Sequence, residues 1–235
     1  MNAMLISDLA IMRKNLLQLF GVCLIVGVGM AYGTGSLIVA TACISSMVPF
    51  MYLFNVAAYD ELGGWQSFRL TLPLSRREIV LGRYLGVLVA LTVSAAFAIV
   101  FSFVLGAVVD ALPLPADLAK SLSLTENLPD EIVMSGLMGS LCVLVAATVM
   151  LPLVTKWGLT RGTRLVPVII VLAVPLGVWA RKLEAVQGFI APLREAWASG
   201  SVSVTTVFTI GIGLALLLLA ASALIAMRLY ETREL

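Results

Sequence analysis

Histidine is absent from this 235-residue chain. Without it no Ser–His–Asp triad, no H-E-x-x-H zinc helix and no His-ligated haem can be built. A Gly-Lys dipeptide is missing too, and with it the phosphate cradle of a P-loop. If ATP drives this protein, another chain binds it. Charge is scarce: 12% of residues are Asp, Glu, Lys or Arg, against about 25% in a soluble domain. The net charge of +2 gives no reason to expect a nucleic-acid partner. The three cysteines, Cys23, Cys43 and Cys142, lie inside apolar runs with no C-x-x-C spacing. They read as small buried hydrophobes, not as a disulfide or metal framework. No cofactor, metal or catalytic residue is expected on this chain. A secretory leader is not expected either: the first apolar run begins near Leu16, after Asp8, Arg13 and Lys14, and no small-residue cleavage site follows a short apolar core.

What the chain has is hydrocarbon: 61% of its residues are hydrophobic. Several runs approach the roughly 20 residues that cross a bilayer core of about 30 Å. The expected fold class is an all-α integral membrane protein, one transmembrane domain over residues 1–235 with six spans. Residues 1–15 place Met4, Leu5, Leu9 and Met12 at helical spacing beside Asp8, Arg13 and Lys14, the pattern of a helix lying in the membrane interface. The spans are expected at about Leu16–Gly33, Ser36–Tyr59, Tyr84–Val109, Ile132–Thr155, Leu165–Ala180 and Val204–Met227. Only Gly33-Thr34-Gly35 separates the first two, which predicts a tight hairpin. Polar stretches at Asp60–Arg83, Asp110–Glu131, Lys156–Arg164 and Arg181–Ser203 join the others.

Ser75-Arg76-Arg77-Glu78 predicts a capping box, with Ser75 as N-cap and Glu78 three positions on. Pro129 followed by Asp130 and Glu131 suits a helix start, where acids complement the dipole. Lysine and arginine set the orientation. With the N-terminus cytoplasmic, Arg13, Lys14, Arg69, Arg76, Arg77, Arg83, Lys156, Arg161, Arg164, Arg228 and Arg233 lie inside. Lys120, Arg181, Lys182 and Arg194 lie outside. The bias is eleven of fifteen, and six spans bring the C-terminus inside as well. A cysteine at Ser123 is then expected to be labelled from outside, and one at Ser67 is not.

No Asp, Glu, Lys or Arg lies within the expected spans, which argues against a proton- or sodium-coupled carrier. The polar residues there are mild: Thr41, Ser45, Ser46 and Asn55 in the second span, Ser94 and Ser102 in the third. The second-span set is the candidate substrate path; interhelical hydrogen bonding is the competing and more common role. Gly29-x-x-x-Gly33 and Gly82-x-x-x-Gly86 allow close helix contact, within one subunit or between two. Pro49, Pro152, Pro167 and Pro175 fall inside apolar spans, each freeing a backbone carbonyl. The last two predict that the fifth span is the least regular.

The segment Asp60–Leu74 carries the strongest signal. Leu62, Trp65, Phe68 (or Arg69) and Leu72 share one helical face in a loop read as cytoplasmic. Such a face either lies on the membrane or docks in a partner's groove. Glu61, Gly64-Trp65, Leu72-Pro73-Leu74-Ser75-Arg76, Ile79-Val80 and Arg83-Tyr84 together resemble the loop of ABC-2 type exporter membrane subunits. The architecture agrees along the whole chain, the sequence over about residues 60–84. The resemblance implies a coupling helix between spans two and three, seated on a separate ATPase subunit that binds ATP and Mg²⁺. Glu61, Leu62, Gly64, Trp65, Phe68, Arg69 and Leu72 would form that contact. It also implies a second permease subunit, identical or not, and short re-entrant outer helices in 181–203, which Gly188, Pro192 and Gly200 permit beside Ile190 and Trp197. The expected function is the permease of an ATP-driven exporter in the plasma membrane, moving an amphiphile such as a peptide, antibiotic or lipid-like molecule. A secondary carrier or channel, and a non-transporting scaffold or immunity protein, are the alternatives.

Overall fold

The computed structural model describes residues 2–61, 75–112, 121–180, 187 and 203–231. Five helices follow in order: α1 Asn2–Thr34, α2 Leu37–Glu61, α3 Arg76–Ala111, α4 Pro129–Ala180 and α5 Val204–Glu231. There is no strand among the described residues. Leu37–Ala58, Arg77–Ala111, Pro129–Gly158 and Thr205–Tyr230 are long and apolar enough to cross a membrane, and Gln18–Thr34 is a shorter apolar helix. The all-helical membrane class is therefore correct. The proposed coupling contacts Leu62, Gly64, Trp65, Phe68, Arg69 and Leu72 lie outside the described residues, as does Ser67. So does 181–203 apart from 187 and 203.

Local chemistry sets the boundaries. Gly35, at φ +63°, turns the chain between α1 and α2 in a conformation that side chains resist. At the start of α3 the capping box is complete: Glu78 N–H donates to Ser75 Oγ at 3.2 Å, and Ser75 N–H donates to Glu78 Oε2 at 3.0 Å. Pro129 opens α4 with Asp130 and Glu131 in its first turn. The backbone of α1 is helical throughout, so residues 2–15 and the first span are one helix. The expected loop Lys156–Arg164 reduces to a break at Gly158, with φ 77° and ψ 178°. Lysine and arginine are good helix formers, so the basic run does not end the helix; the glycine does. Beyond it the backbone is helical over 159–180, through Pro167 and Pro175.

Three packed clusters run the length of the bundle. One end joins Tyr52 and Val56 of α2, Ile79 and Tyr84 of α3, Met150 and Val154 of α4, and Ala226 and Tyr230 of α5. The middle joins Cys23, Ile44, Val48 and Ala98. The other end joins Ala31, Leu37, Val109, Leu122 and Ile132. Charge follows the same axis. Arg77, Arg83, Lys156 and Arg228 belong to the first end, with Glu78 the capping acid among them, and Asp110, Glu126, Asp130 and Glu131 to the last.

The turn at the acidic end seals the bundle. Leu122 is buried in it, and Asn127 Nδ2 donates to the carbonyls of Ser121 and Ser123 at 2.9 and 3.0 Å. Ser123 is only 7% exposed, and its Oγ accepts from Glu126 N–H and shares a hydrogen bond with Thr125. It is thus a poor labelling site, because a short hydroxyl in a turn folds back on its own backbone. Thr125 is exposed. A membrane-impermeant maleimide applied to intact cells is expected to label Thr125→Cys and to leave Ser123→Cys largely unreacted. Labelling of Thr125→Cys only after lysis would invert the orientation.

Candidate functional site

Two prolines inside membrane-crossing helices decide the polar geometry. A proline at position i has no N–H for the carbonyl at i−4, and hydrocarbon offers no water to replace it. Pro49 therefore frees the carbonyl of Ser45, and Pro152 that of Thr148. Both carbonyls are met from another helix. Ser94 of α3 donates its hydroxyl to Ser45 O at 2.8 Å, with Ile44 O at 3.3 Å. Ser222 of α5 donates to Thr148 O at 2.6 Å. Tyr84 Oη of α3 lies 2.8 Å from Ser222 Oγ. The one proton of Ser222 is committed to Thr148, so Tyr84 donates to Ser222. The chain Tyr84–Ser222–Thr148 thus ties α3, α5 and α4 together at the carbonyl that Pro152 frees.

Most other hydroxyls in the described helices satisfy themselves. Thr34, Thr92, Ser140, Thr155 and Thr209 donate to the carbonyl four residues back in their own helix. Among the candidate path residues, Thr41 and Ser45 are fully buried. Thr41 donates to Leu37 O at 2.6 Å, so Ser102, also 2.6 Å away, donates to Thr41 across the α2–α3 contact. Ser45 Oγ donates to Ala42 O at 3.0 Å, Ser46 Oγ to Cys43 O at 2.9 Å and Asn55 Nδ2 to Met51 O at 2.8 Å. Ser46 and Asn55 are half-buried.

Small residues set how closely the helices approach. A Cβ on Gly139 of α4 would strike Ser45 Oγ and the Ala42 carbonyl oxygen of α2, with the Ala42 carbonyl carbon at 3.1 Å. Gly86 receives Tyr52, whose Cζ would lie 2.8 Å from an added Cβ, so Gly82-x-x-x-Gly86 packs within the subunit. Among the described residues Gly29 and Gly33 have nothing within 4 Å, and Ile25 and Tyr32 beside them are 75% and 67% exposed.

Among the described residues an apolar groove of about 370 Å³ opens between these helices. It lies between Leu88, Leu91, Ala95 and Ile99 of α3 and Leu137 and Leu144 of α4, with Ile212 of α5 at its rim. Its two hydroxyls, Thr92 and Ser140, donate to their own helices, leaving hydrocarbon as the lining. Sequence reading finds neither this groove nor the pairing of Ser222 with Thr148. The prolines announce the free carbonyls, but only the helix packing says which serine reaches them.

The Ser94 contact makes a direct test. Ser94→Ala is expected to cost about 0.6–1.7 kcal/mol, the range for hydrogen bonds between membrane helices. Pro49→Ala in the same chain returns an N–H to Ser45 O and is expected to recover most of it. Thermal unfolding in detergent measures both, and additive losses would refute the assignment.

A family model described as ABC-2 family transporter protein matches residues 3–231. No curated protein and no solved structure matches the chain. The matched region takes in the described helices, including the capped start of α3 and the prolines at 49 and 152, so the chain belongs to the ABC-2 family of transporter membrane proteins.

Proposed function

We propose that this chain is the six-span permease of an ATP-driven exporter, acting with a separate ATPase subunit that binds ATP and Mg²⁺. Family membership over nearly the whole chain carries the reading. Six helical stretches support the span count: the four long apolar helices, the apolar Gln18–Thr34 and 159–180. The cationic end of the bundle is where α2 ends and α3 begins. Basic residues favour the cytoplasmic face, which supports a cytoplasmic coupling segment built on Glu61, Leu62, Gly64, Trp65, Phe68, Arg69 and Leu72, with both termini on the same side of the plasma membrane. The open Gly29/Gly33 face of α1 supports a second permease alongside. The hydrocarbon-lined groove supports an amphiphilic cargo, since it offers contact to an alkyl chain and no charge.

Reconstitution decides the matter. Proteoliposomes holding this chain and the ATPase are expected to move an amphiphile in the presence of Mg-ATP, and to stop when either ATP or the ATPase is withheld. Equal transport by the chain alone would make it a carrier or channel. No ATPase co-purifying from mild detergent would leave the scaffold reading standing instead.

A further inference from the structure

Ser94 and Ser222 share a property that sets them apart from the back-bonding hydroxyls of this bundle. Each donates to the carbonyl of another helix, and each chosen carbonyl lies four residues before a proline. Ser222 differs from Ser94 in one respect: a third helix holds it, through Tyr84. Tyr84 is 5% exposed and sits two turns into α3, just after the capped start that follows residues 62–74. Ser222 is 5% exposed, on the α5 face that meets α4.

A serine hydroxyl in a membrane helix has a second acceptor always at hand, the carbonyl four residues back in its own helix. Thr34, Thr92, Ser140, Thr155 and Thr209 use it here. Ser222 therefore has two settings that leave its proton satisfied. In one it donates to Thr148 O and holds α4 against α5 beside Pro152. In the other it turns to its own helix, and that tie is lost. Tyr84, donating into Ser222 Oγ, favours the first.

We propose that Tyr84, Ser222 and the Thr148 carbonyl freed by Pro152 form a latch, which α3 closes or opens and which fixes α4 against α5 beside Pro152. An axial turn or shift of α3 withdraws the Tyr84 hydroxyl and frees Ser222 to change acceptor. The beginning of α3 follows directly on the segment assigned to ATPase contact, so the latch carries motion from that contact into α4 and α5. That last step rests on the permease reading; the latch itself does not.

The test uses the full chain in lipid nanodiscs, with Cys23, Cys43 and Cys142 replaced by alanine. Spin labels at Lys156→Cys and Arg228→Cys report α4 beyond Pro152 against the end of α5, diluted with unlabelled chain so that only intramolecular distances are read. The otherwise unchanged chain is expected to give one narrow distance. Tyr84→Phe and Ser222→Ala are expected to add a second. Pro152→Ala in the Ser222→Ala chain supplies an N–H to Thr148 O and is expected to return a single distance. Distributions that superimpose across all variants, or a double variant as broad as Ser222→Ala, would overturn the latch.

In proteoliposomes with the ATPase, Tyr84→Phe is expected to hydrolyse ATP near the unaltered rate. The cargo moved per ATP is expected to fall about fivefold, the equilibrium value of one such hydrogen bond. Proportional loss of hydrolysis and transport, or no change in either, would remove the coupling role. If the unaltered chain moves nothing with an ATPase, the permease reading fails, and the distance measurement still decides the latch.

Discussion

Leucine at Gly139 is expected to abolish the folded protein, and alanine there to cost about 2–3 kcal/mol, the upper range for overpacking a filled core. The reason is what an added Cβ meets. Ser45 Oγ can rotate away, but the Ala42 carbonyl belongs to the α2 backbone and cannot. One extra carbon therefore pushes two helices apart. Both neighbours of the contact would feel it: Thr41 Cγ2 would lie 3.3 Å from a Cβ on Gly136, one turn away, and Ser45 carries the carbonyl that Ser94 holds. Gly29 is the control, since nothing lies within 4 Å of its added Cβ. Gly29→Ala is expected to leave stability unchanged or to raise it by up to about 1 kcal/mol, the helix-propensity gain. Titration with a denaturing detergent, followed by tryptophan emission, measures both. A Gly139→Ala protein as stable as Gly29→Ala would mean that α2 and α4 do not cross at Ala42.

That contact illustrates where sequence reading stops. The runs of hydrocarbon are long enough to name the helices, and α2, α3 and α5 begin and end within a few residues of their expected spans, α3 extending some two turns earlier to its cap. Ser75, Glu78 and Pro129 mark helix starts because a cap is a local event, decided within four residues. Gly139 carries no comparable mark. Gly82 and Gly86 match a recognised spacing and are buried, Gly29 and Gly33 match the same spacing and meet none of the described residues, and Gly139 matches nothing and sits against the α2 backbone at Ala42. Spacing shows that close contact is allowed; a partner helix is needed to make it. The loop expected at 156–164 fails for the opposite reason. Basic charge marks a polar stretch but not the backbone's course, which follows φ and ψ, and only Gly158 departs from the helix there. Of the candidate path, Thr41 shows how a buried hydroxyl chosen for its polarity is held by the nearest helix, Ser102 on α3. The segment around Trp65 has its own periodicity and its resemblance to the family's loop, and lies outside the described residues.

Trp65 is the position at which the permease reading is most exposed to experiment. Leu62, Trp65, Phe68 and Leu72 fall on one face at helical spacing, and a tryptophan at the centre of such a face is the residue type that most often dominates an interface. Trp65→Glu removes the largest apolar surface of the face and puts a charge where it would have to be desolvated. A loss of about 2–4 kcal/mol is expected, a 30- to 1000-fold weaker complex. Co-purification of the ATPase from mild detergent should therefore fall below detection. The bundle itself should survive, because its described core is built from residues of α1 to α5 and the turn at Leu122, so membrane yield and Thr125→Cys labelling should match the unaltered chain. Trp65→Phe keeps an aromatic anchor and should retain most of the complex. If the face instead rests on lipid, Trp65→Glu weakens only that contact, and the ATPase is recovered in full. Undiminished recovery with Trp65→Glu would thus move the segment from the partner's groove to the membrane surface, and would oblige the ATPase to bind elsewhere on the cationic end.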